Sequence, residues 1–124
     1  MKRLVVLLAV MIFCGCASSV SNEATGLSGT NIINNPSLHK KVSLLDHHSR
    51  YTNGLLEAMV RLHNNTKSFQ DIEYRFTWLD KDGFVVAQEP WQPLTLNGLE
   101  TKEVSSIASS PQVVDFKFEF RPKQ

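Results

Sequence analysis

The histidines are the residues whose type and spacing first suggest metal chemistry. Asp46, His47 and His48 are consecutive, and the other two histidines are His39 and His63. A zinc site needs three or four ligands at about 2.0–2.3 Å, whereas adjacent residues of a strand point to opposite faces of a sheet. We therefore expect exposed loop histidines, and we predict no metal site.

The segment that starts at Trp78 contains part of a calcium-binding pattern. Asp80, Asp82, Gly83 and Glu89 match two ligand positions, the glycine and the last ligand of an EF-hand loop. Trp78, however, occupies the first ligand position, and the flanking segments have the periodicity of strands. A β-hairpin turn over residues 80–83 explains the same residues without an ion.

The sequence lacks the motifs of nucleophilic and phosphate chemistry. It contains no Gly-x-Ser-x-Gly elbow and no P-loop. No spacing singles out a pair of carboxylates for acid–base work. We predict that the protein is not an enzyme and that it uses no cofactor.

The N-terminal residues have the layout of an exported protein. Lys2 and Arg3 precede a run of about ten apolar residues, which is typical of a secretory signal peptide. A transmembrane helix needs about twenty apolar residues to cross ~30 Å of hydrocarbon. Because this run is too short to remain as an anchor, residues 1–15 are predicted to be a signal peptide that is removed.

The residues that end this segment, Phe13-Cys14-Gly15-Cys16, resemble the lipobox of bacterial lipoproteins. The resemblance implies that Cys16 carries covalent lipid (diacylglycerol and palmitate) and becomes the new N-terminus, since Gly15 suits the cleavage position. Cys14 would leave with the signal peptide, so no disulfide partner is expected. Ala17 follows where Asp would favour the inner membrane, which implies the periplasmic face of the outer membrane.

Residues 16–37 differ in composition from the rest of the chain. They are rich in Ser, Asn, Gly and Thr and contain few large apolar residues, so they have little surface to bury. We predict a lipidated, flexible tether with a reach of roughly 25 Å. Asn35-Pro36 marks a turn at its end, and residues 38–124 are predicted to form the folded domain.

The charge pattern of the sequence favours neither nucleic acid nor anionic lipid headgroups as an electrostatic partner. Loss of Lys2 and Arg3 removes two of 13 basic residues against 12 acidic ones, so the formal net charge falls from +1 to −1. No basic field of the kind that binds nucleic acid remains. The sequence also shows no polybasic run for anionic lipid headgroups.

Three segments alternate between apolar and polar residues, which is the pattern of half-buried strands. Their apolar positions are Leu56 to Leu62, Ile72 to Trp78 and Val114 to Phe120, two residues apart in each case. Further short strands are predicted at residues 42–45, 84–88, 94–96 and 102–107. About seven short strands separated by turns indicate an all-β, antiparallel sandwich.

Three runs in these strands form a recognisable pattern: Ala58-Met59-Val60-Arg61-Leu62-His63-Asn64, Tyr74-Arg75-Phe76-Thr77-Trp78-Leu79-Asp80 with Gly83, and Val114-Asp115-Phe116-Lys117-Phe118-Glu119-Phe120-Arg121. Together they resemble the YcfL-type family of Gram-negative periplasmic lipoproteins. The resemblance implies an immunoglobulin-like sandwich. It implies no catalytic residues, because the family is essentially uncharacterised.

The segment Pro90-Trp91-Gln92-Pro93 is the candidate interaction surface. Prolines at both ends keep it out of a central strand, and tryptophan is enriched in binding hot spots. The alternative is that Trp91 folds back and plugs one end of the sandwich. In either case the prolines place Trp91 on a loop or at a sheet edge.

The combination of lipid anchor, small β domain and missing catalytic motifs predicts a membrane-anchored, non-enzymatic protein-binding module in cell-envelope assembly or maintenance. Its partner would be another periplasmic or outer-membrane protein. Two alternatives stay open. One is a domain that binds a small ligand or glycan, and the other is a subunit of a pilus or similar appendage, which requires a donatable strand.

Overall fold

The computed structural model describes residues 20–25 and 30–124. The predicted signal peptide (residues 1–15) and Cys16 lie outside the described residues. The elements in chain order are β1 (Asn22–Thr25), β2 (Thr30–Ile32), α1 (Pro36–Lys41), β3 (Val42–Thr52), β4 (Leu55–Asn64), β5 (Gln70–Leu79), β6 (Val85–Gln88), β7 (Gln92–Leu96), β8 (Thr101–Ile107) and β9 (Asp115–Pro122). Within these ranges, no helix has the length and apolarity to span a bilayer.

The larger sheet is built around β5 and β9. Its order is β2-β1-β9-β5, and the other edge of β5 pairs with β7 along its first half and with β6 along its second half. All these pairs are antiparallel. The predicted alternation of β5 and β9 puts their aromatic residues on one face, where Phe76 lies opposite Phe118 and Trp78 opposite Phe116.

The smaller sheet has the order β3-β4-β8. β3 and β4 form a hairpin whose turn residues, Asn53 and Gly54, have φ angles of 53° and 78°. Positive φ at both central positions is what a two-residue type I′ turn requires, and Asn-Gly adopts it readily. β3 is thus longer than the strand predicted at residues 42–45, because it continues past a bulge between Leu44 and Asp46 and ends at Thr52, next to the turn.

The two sheets pack through a layer rich in aromatic residues. Phe76, Phe116, Phe118 and Phe120 are all 0% exposed, and the ring centroids of Phe76 and Phe118 are 5.1 Å apart. The smaller sheet contributes the inward face of β4, which consists of Leu56, Ala58, Val60 and Leu62. Burial of a large apolar side chain stabilises the fold by about 1.5–3 kcal/mol before entropy is subtracted. The predicted all-β, antiparallel sandwich is confirmed, with nine strands in the described residues.

The prediction of a flexible tether over residues 16–37 is wrong for the part that the structure describes. β1 lies between β2 and β9 in the larger sheet. The side chain of Asn35 accepts a hydrogen bond from the backbone of Leu38 at 3.0 Å and so caps α1. The folded domain therefore begins at Asn22 and not at residue 38.

The prediction from composition failed here because β1 is held by its backbone hydrogen bonds and by contacts of small side chains. Ala24, which lies opposite Phe118, is 0% exposed although its side chain is only a methyl group. The side chain of Asn22 accepts from the backbone N–H of Asn35 at 2.7 Å and donates to the Asn35 carbonyl at 3.1 Å. A count of large apolar residues does not detect a strand of this kind, whose backbone pairs with the edge of β9.

Candidate interaction surface

Glu89 fixes the loop between β6 and β7, and this loop sets the position of Trp91. The backbone N–H of Glu89 donates to the carbonyl of Phe76 at 3.0 Å. Its carboxylate accepts from Trp78 Nε1 at 2.9 Å and from Ser106 Oγ at 2.6 Å. Because Trp78 belongs to β5 and Ser106 to β8, one carboxylate ties the two sheets together. Burial and, next, the charge of Glu89 raise the pKa of Tyr74.

Trp91 lies against the outward-facing arginines of the larger sheet. The Cζ atom of Arg75 is 4.2 Å from the centroid of the indole ring, and the Cζ atom of Arg121 is 3.9 Å from it. Both distances are within the range of cation–π attraction, which is strongest for tryptophan. Trp91 is partly exposed, so the ring is held in place and still presents surface to solvent.

Carboxylates on the neighbouring strand position these two arginines. Arg75 lies opposite Glu119 in the β5–β9 register, and Glu73 lies opposite Arg121. Arg75 Nη2 is 3.3 Å from a Glu119 oxygen, and Arg121 Nη2 is 3.2 Å from a Glu73 oxygen. A backbone hydrogen bond from Gln124, followed by the charge and hydrogen bond of Arg121, lowers the pKa of Glu73. We call Trp91, Arg75, Arg121, Glu73 and Glu119 the Trp91 surface.

β1 extends this network of charges. Lys117 on β9 is 3.0 Å from a carboxylate oxygen of Glu23 and 4.0 Å from one of Glu119. Ser21 Oγ donates to Glu119 at 3.0 Å. The side chain of Glu119 is only 7% exposed, so it acts as a buried brace beneath Arg75. A buried polar network whose members all have partners makes this part of the structure more rigid.

The structure tests one of the two interpretations of the Pro90-Trp91-Gln92-Pro93 segment, the one in which Trp91 plugs an end of the sandwich. Pro90 is exposed on the loop, and Pro93 is exposed in β7, which is an edge strand. Trp91 packs on the outer face of a sheet, so the alternative in which it plugs one end of the sandwich is wrong. The sequence did not single out Arg75 and Arg121, although both occupy polar positions of alternating strands.

The histidines do not converge. The ring of His47 points inward and contacts Phe116 edge-on, with centroids 5.9 Å apart. The side chain of His48 is 64% exposed and lies 3.8 Å from Asp46. The expectation of loop positions is wrong, because His39 lies in α1, His47 and His48 in β3, and His63 in β4. In the described ranges, no group of three or more potential ligands is placed to hold a metal ion.

The acidic residues of the β5–β6 turn are engaged in the turn itself. Asp80 Oδ1 accepts from the backbone N–H groups of Asp82 and Phe84, at 2.9 Å each. Gly83 has a φ of 82°, which glycine adopts without strain. Glu89, the last member of the calcium-like pattern, points instead to Trp78 and Ser106. The hairpin interpretation of residues 80–83 fits these contacts.

A shallow groove lies on the outer face of the smaller sheet. It has a volume of about 250 Å³ and is lined by His48, Ser49, Arg50, Glu57 and Met59. Hydrogen bonds from Arg50 and Thr52 lower the pKa of Glu57. Arg50 and Glu57 thus already pair with each other across the sheet, and Met59 is the apolar side chain of the groove.

Known proteins are similar to this chain in fold and sequence. The chain matches the model of a family described as "Protein of unknown function (DUF1425)" over residues 29–122. It is similar to the crystal structure of a DUF1425 family member from Shewanella sp. pv-4, with 25% identity and a TM-score of 0.60 over 67% of this chain and 77% of that chain. It is also similar to Campylobacter jejuni Cj0090, with 30% identity and a TM-score of 0.57 over 64% of this chain and 85% of that chain. No curated protein matches.

Proposed function

This chain belongs to the DUF1425 family of proteins of unknown function, and from that premise we propose that it is a membrane-anchored, non-enzymatic protein-binding module. Its place is the periplasmic face of the outer membrane, its process is cell-envelope assembly or maintenance, and its partner is another envelope protein. Within the family we assign it to the YcfL-type lipoproteins.

The anchor rests on the chemistry of the first residues. A basic start, a short apolar run and the lipobox-like Phe13-Cys14-Gly15-Cys16 support acylation of Cys16. Two or more acyl chains anchor a protein stably, because each buried methylene contributes about 0.8 kcal/mol. Ala17 in place of Asp supports the outer membrane.

The protein-binding role rests on one observation, the contact of Trp91 with two guanidinium groups. Tryptophan and arginine are the residue types most enriched in hot spots of protein interfaces. Here Arg75 and Arg121 are held by cross-strand carboxylates, and the indole ring is held by the arginines. A surface that is already ordered loses little side-chain entropy when a partner binds.

Photo-crosslinking in cells tests the protein-binding role. A photoreactive amino acid at Gln92, which is exposed beside Trp91, should trap a specific envelope protein. The same group at Ser105, exposed on β8 of the other sheet, serves as the matched control. Trp91→Ala should abolish the Gln92 product and Trp91→Phe should retain part of it. A crosslink pattern that is unaffected by Trp91→Ala would contradict the proposal.

Fatty-acid labelling tests the anchor separately. Wild type should incorporate labelled palmitate and sediment with the outer membrane, whereas Cys16→Ala should do neither. Equal labelling of the two proteins would exclude Cys16 as the acceptor, and sedimentation with the inner membrane would contradict the assignment from Ala17.

The groove on the smaller sheet is the feature that a second candidate function would use, that of a domain that binds a small ligand or glycan. Its volume of about 250 Å³ is below the range of about 300–1,000 Å³ that is usual for ligand pockets. A thermal-shift screen with sugars and cell-wall fragments separates the candidates, since a ligand of the folded state raises the melting temperature. A shift that Met59→Ala abolishes would favour ligand binding over the Trp91 surface.

A further inference from the structure

One end of the sandwich, where β4 ends and β5 begins, combines lysines with exposed apolar residues. We call it the Lys67 end, and its residues are Lys40, Lys41, Lys67, Phe69 and Leu99. Asn65 joins the loop after β4 to the end of α1. The backbone N–H of Asn65 donates to the carbonyl of Lys41 at 2.8 Å, and the Asn65 side chain donates to the carbonyl of Lys40 at 3.2 Å.

The other two loops of this end are also in direct contact. The backbone N–H of Leu99 donates to the carbonyl of Thr66 at 2.8 Å. A Cβ atom at Gly98 would lie 2.3 Å from the carbonyl oxygen of Lys67, so the close approach of the two loops requires glycine there. The three segments therefore form one continuous surface.

The chain enters the domain at this same end. Asn22, the first residue of β1, lies opposite Phe120 of β9, and β9 continues to Pro122, opposite Ile72 near the start of β5. Lys41, Gln70 and Pro122 line a common concavity there. The first residue of β1 therefore lies toward the Lys67 end.

The path from the lipid anchor to the domain is short. Asn22 follows Cys16 by six residues. Since an extended chain spans at most about 3.6 Å per residue, Cys16 lies within roughly 20 Å of β1. An acylated Cys16 thus keeps the domain next to the bilayer, with the Lys67 end nearest to it.

The two apolar residues of this end are left largely uncovered by the part of the chain that the structure describes. Phe69 is 64% exposed and Leu99 is 56% exposed. Leu99 has a φ of 59°, in the left-handed region where Gly or Asn is favoured and a branched apolar side chain is strained. A leucine here gains burial only if an apolar environment outside the described residues covers it.

The lysines supply the complementary charge. Lys40, Lys41 and Lys67 take part in none of the ion pairs within the described residues. The acidic residues near them have other partners: Glu100 binds Lys102 at 3.4 Å, and Asp71 accepts from Thr95 Oγ1 at 2.6 Å. Lysines beside exposed apolar residues match an interface of anionic headgroups over acyl chains.

We propose that the Lys67 end docks on the lipid surface that holds the anchor. Phe69 and Leu99 enter the headgroup region, and the three lysines contact lipid phosphates. This inference rests on the acylated Cys16 of the proposed function. It orients the sandwich on the membrane, with the β5–β6 turn pointing away.

Site-specific fluorescence on the mature lipidated protein tests this orientation. Ser68→Cys, next to Phe69, and Lys81→Cys, in the β5–β6 turn, each provide one exposed labelling site, because the Cys16 thiol is acylated. Each variant carries an environment-sensitive dye and is reconstituted in vesicles of phosphatidylethanolamine and phosphatidylglycerol. We expect the Ser68→Cys dye alone to shift to shorter wavelength and to be quenched by nitroxide-labelled lipids.

Adding Phe69→Ser and Leu99→Asn to Ser68→Cys should abolish the shift without unfolding the domain, because both side chains are exposed and Asn suits the left-handed backbone. Replacing phosphatidylglycerol with phosphatidylcholine should weaken the quenching. Equal quenching of the two dyes on a protein that incorporates palmitate would overturn the docking and leave the anchor standing. Failure to incorporate palmitate would overturn both.

Discussion

At the scale of residues, β9 shows how neighbouring side chains serve two faces of one sheet. Phe118 points inward and contacts the rings of Phe76 and Phe120. Glu119, next in the chain, belongs to the outer face, where Arg75, Lys117 and Ser21 surround its carboxylate. The same strand thus stabilises the core and braces the Trp91 surface.

Phe118→Ala should lower the free energy of unfolding by about 3–5 kcal/mol, because the change removes a fully buried ring and leaves a cavity. Urea denaturation monitored by circular dichroism measures this loss. Phe84→Ala is the matched control, since Phe84 is 71% exposed and its removal should change stability by no more than about 0.5 kcal/mol. Similar losses in the two variants would show that Phe118 is not part of the core.

Asp46 gives the protein a pH-dependent contribution to stability. A hydrogen bond from Arg61 is the largest of the effects that lower the pKa of Asp46 in the folded state. A carboxylate with a lowered pKa stabilises the fold above its unfolded pKa, and this contribution is lost as the pH falls through the folded pKa.

Asp46→Asn should therefore reduce stability at neutral pH, and its difference from wild type should shrink as the pH falls below about 3.9, the ordinary value for Asp. The loss will be small, because the Asp46 and Arg61 side chains are 35% and 40% exposed. Urea midpoints measured from neutral to acidic pH follow this difference. A difference that stays constant down to about pH 2 would rule out Asp46 as its source.

At the scale of elements, β1 makes part of the predicted tether, residues 16–37, belong to the folded domain. It covers the edge of β9, and its Asn22 side chain holds Asn35 at the start of α1. An uncovered strand edge is a template for pairing with other chains. β1 therefore stabilises the larger sheet and protects it from aggregation.

Ala24→Pro should destabilise the domain by more than about 1 kcal/mol, because proline removes a ladder hydrogen bond from a strand that is paired on both sides. Val20→Pro is the control, since Val20 precedes β1 and is 53% exposed. Thermal unfolding of both variants measures the effect. A melting temperature unchanged by Ala24→Pro would mean that β1 behaves as a tether after all.

β3 is an edge strand in the described part of the smaller sheet. Its edge is therefore where a further strand would pair if the protein were a subunit of a pilus or similar appendage. The bulge between Leu44 and Asp46 and the outward ion pair of Arg50 with Glu57 interrupt a regular edge. Bulges and charges of this kind discourage the addition of a further strand. The edge of β3 is therefore poorly suited to strand exchange between subunits. This weakens the appendage alternative relative to recognition of a partner through the Trp91 surface.

At the scale of the whole molecule, the short connection between an acylated Cys16 and β1 would limit how the domain is oriented on the membrane and how far from the membrane it can reach. With the Lys67 end at the lipid, the Trp91 surface lies on the side of the sandwich and stays accessible to a partner. The domain would then act close to the membrane surface, within the short span allowed by the residues that follow Cys16.

Insertion of twenty Gly and Ser residues between Ser19 and Val20 tests this arrangement. A flexible insert of about twenty residues adds a reach of roughly 25 Å and lowers the effective concentration of the Lys67 end at the bilayer. Quenching of the Ser68→Cys dye by nitroxide-labelled lipids should decrease, while palmitate incorporation and the melting temperature stay the same. Quenching that is independent of the insert would mean that the short connection plays no part in docking.

Local periodicity by itself determined the central strands and the sandwich. Apolar residues recur at every second position of β4, β5 and β9, and a strand with this pattern turns one face toward the core. The Asn53-Gly54 turn was also readable in principle, because Asn-Gly is the preferred pair of a type I′ turn. The exported, acylated N-terminus is likewise a prediction from sequence alone.

Only the tertiary structure decided which distant residues meet. Arg75 and Arg121 contact Trp91 because of the β5–β9 register and the return of the loop held by Glu89. Lys40, Lys41 and Lys67 form one basic surface although the sequence contains no polybasic run, because Asn65 joins their loops. The register of strands that are distant in the chain, and the contacts between distant loops, depend on packing across the whole chain, because no turn connects these segments directly.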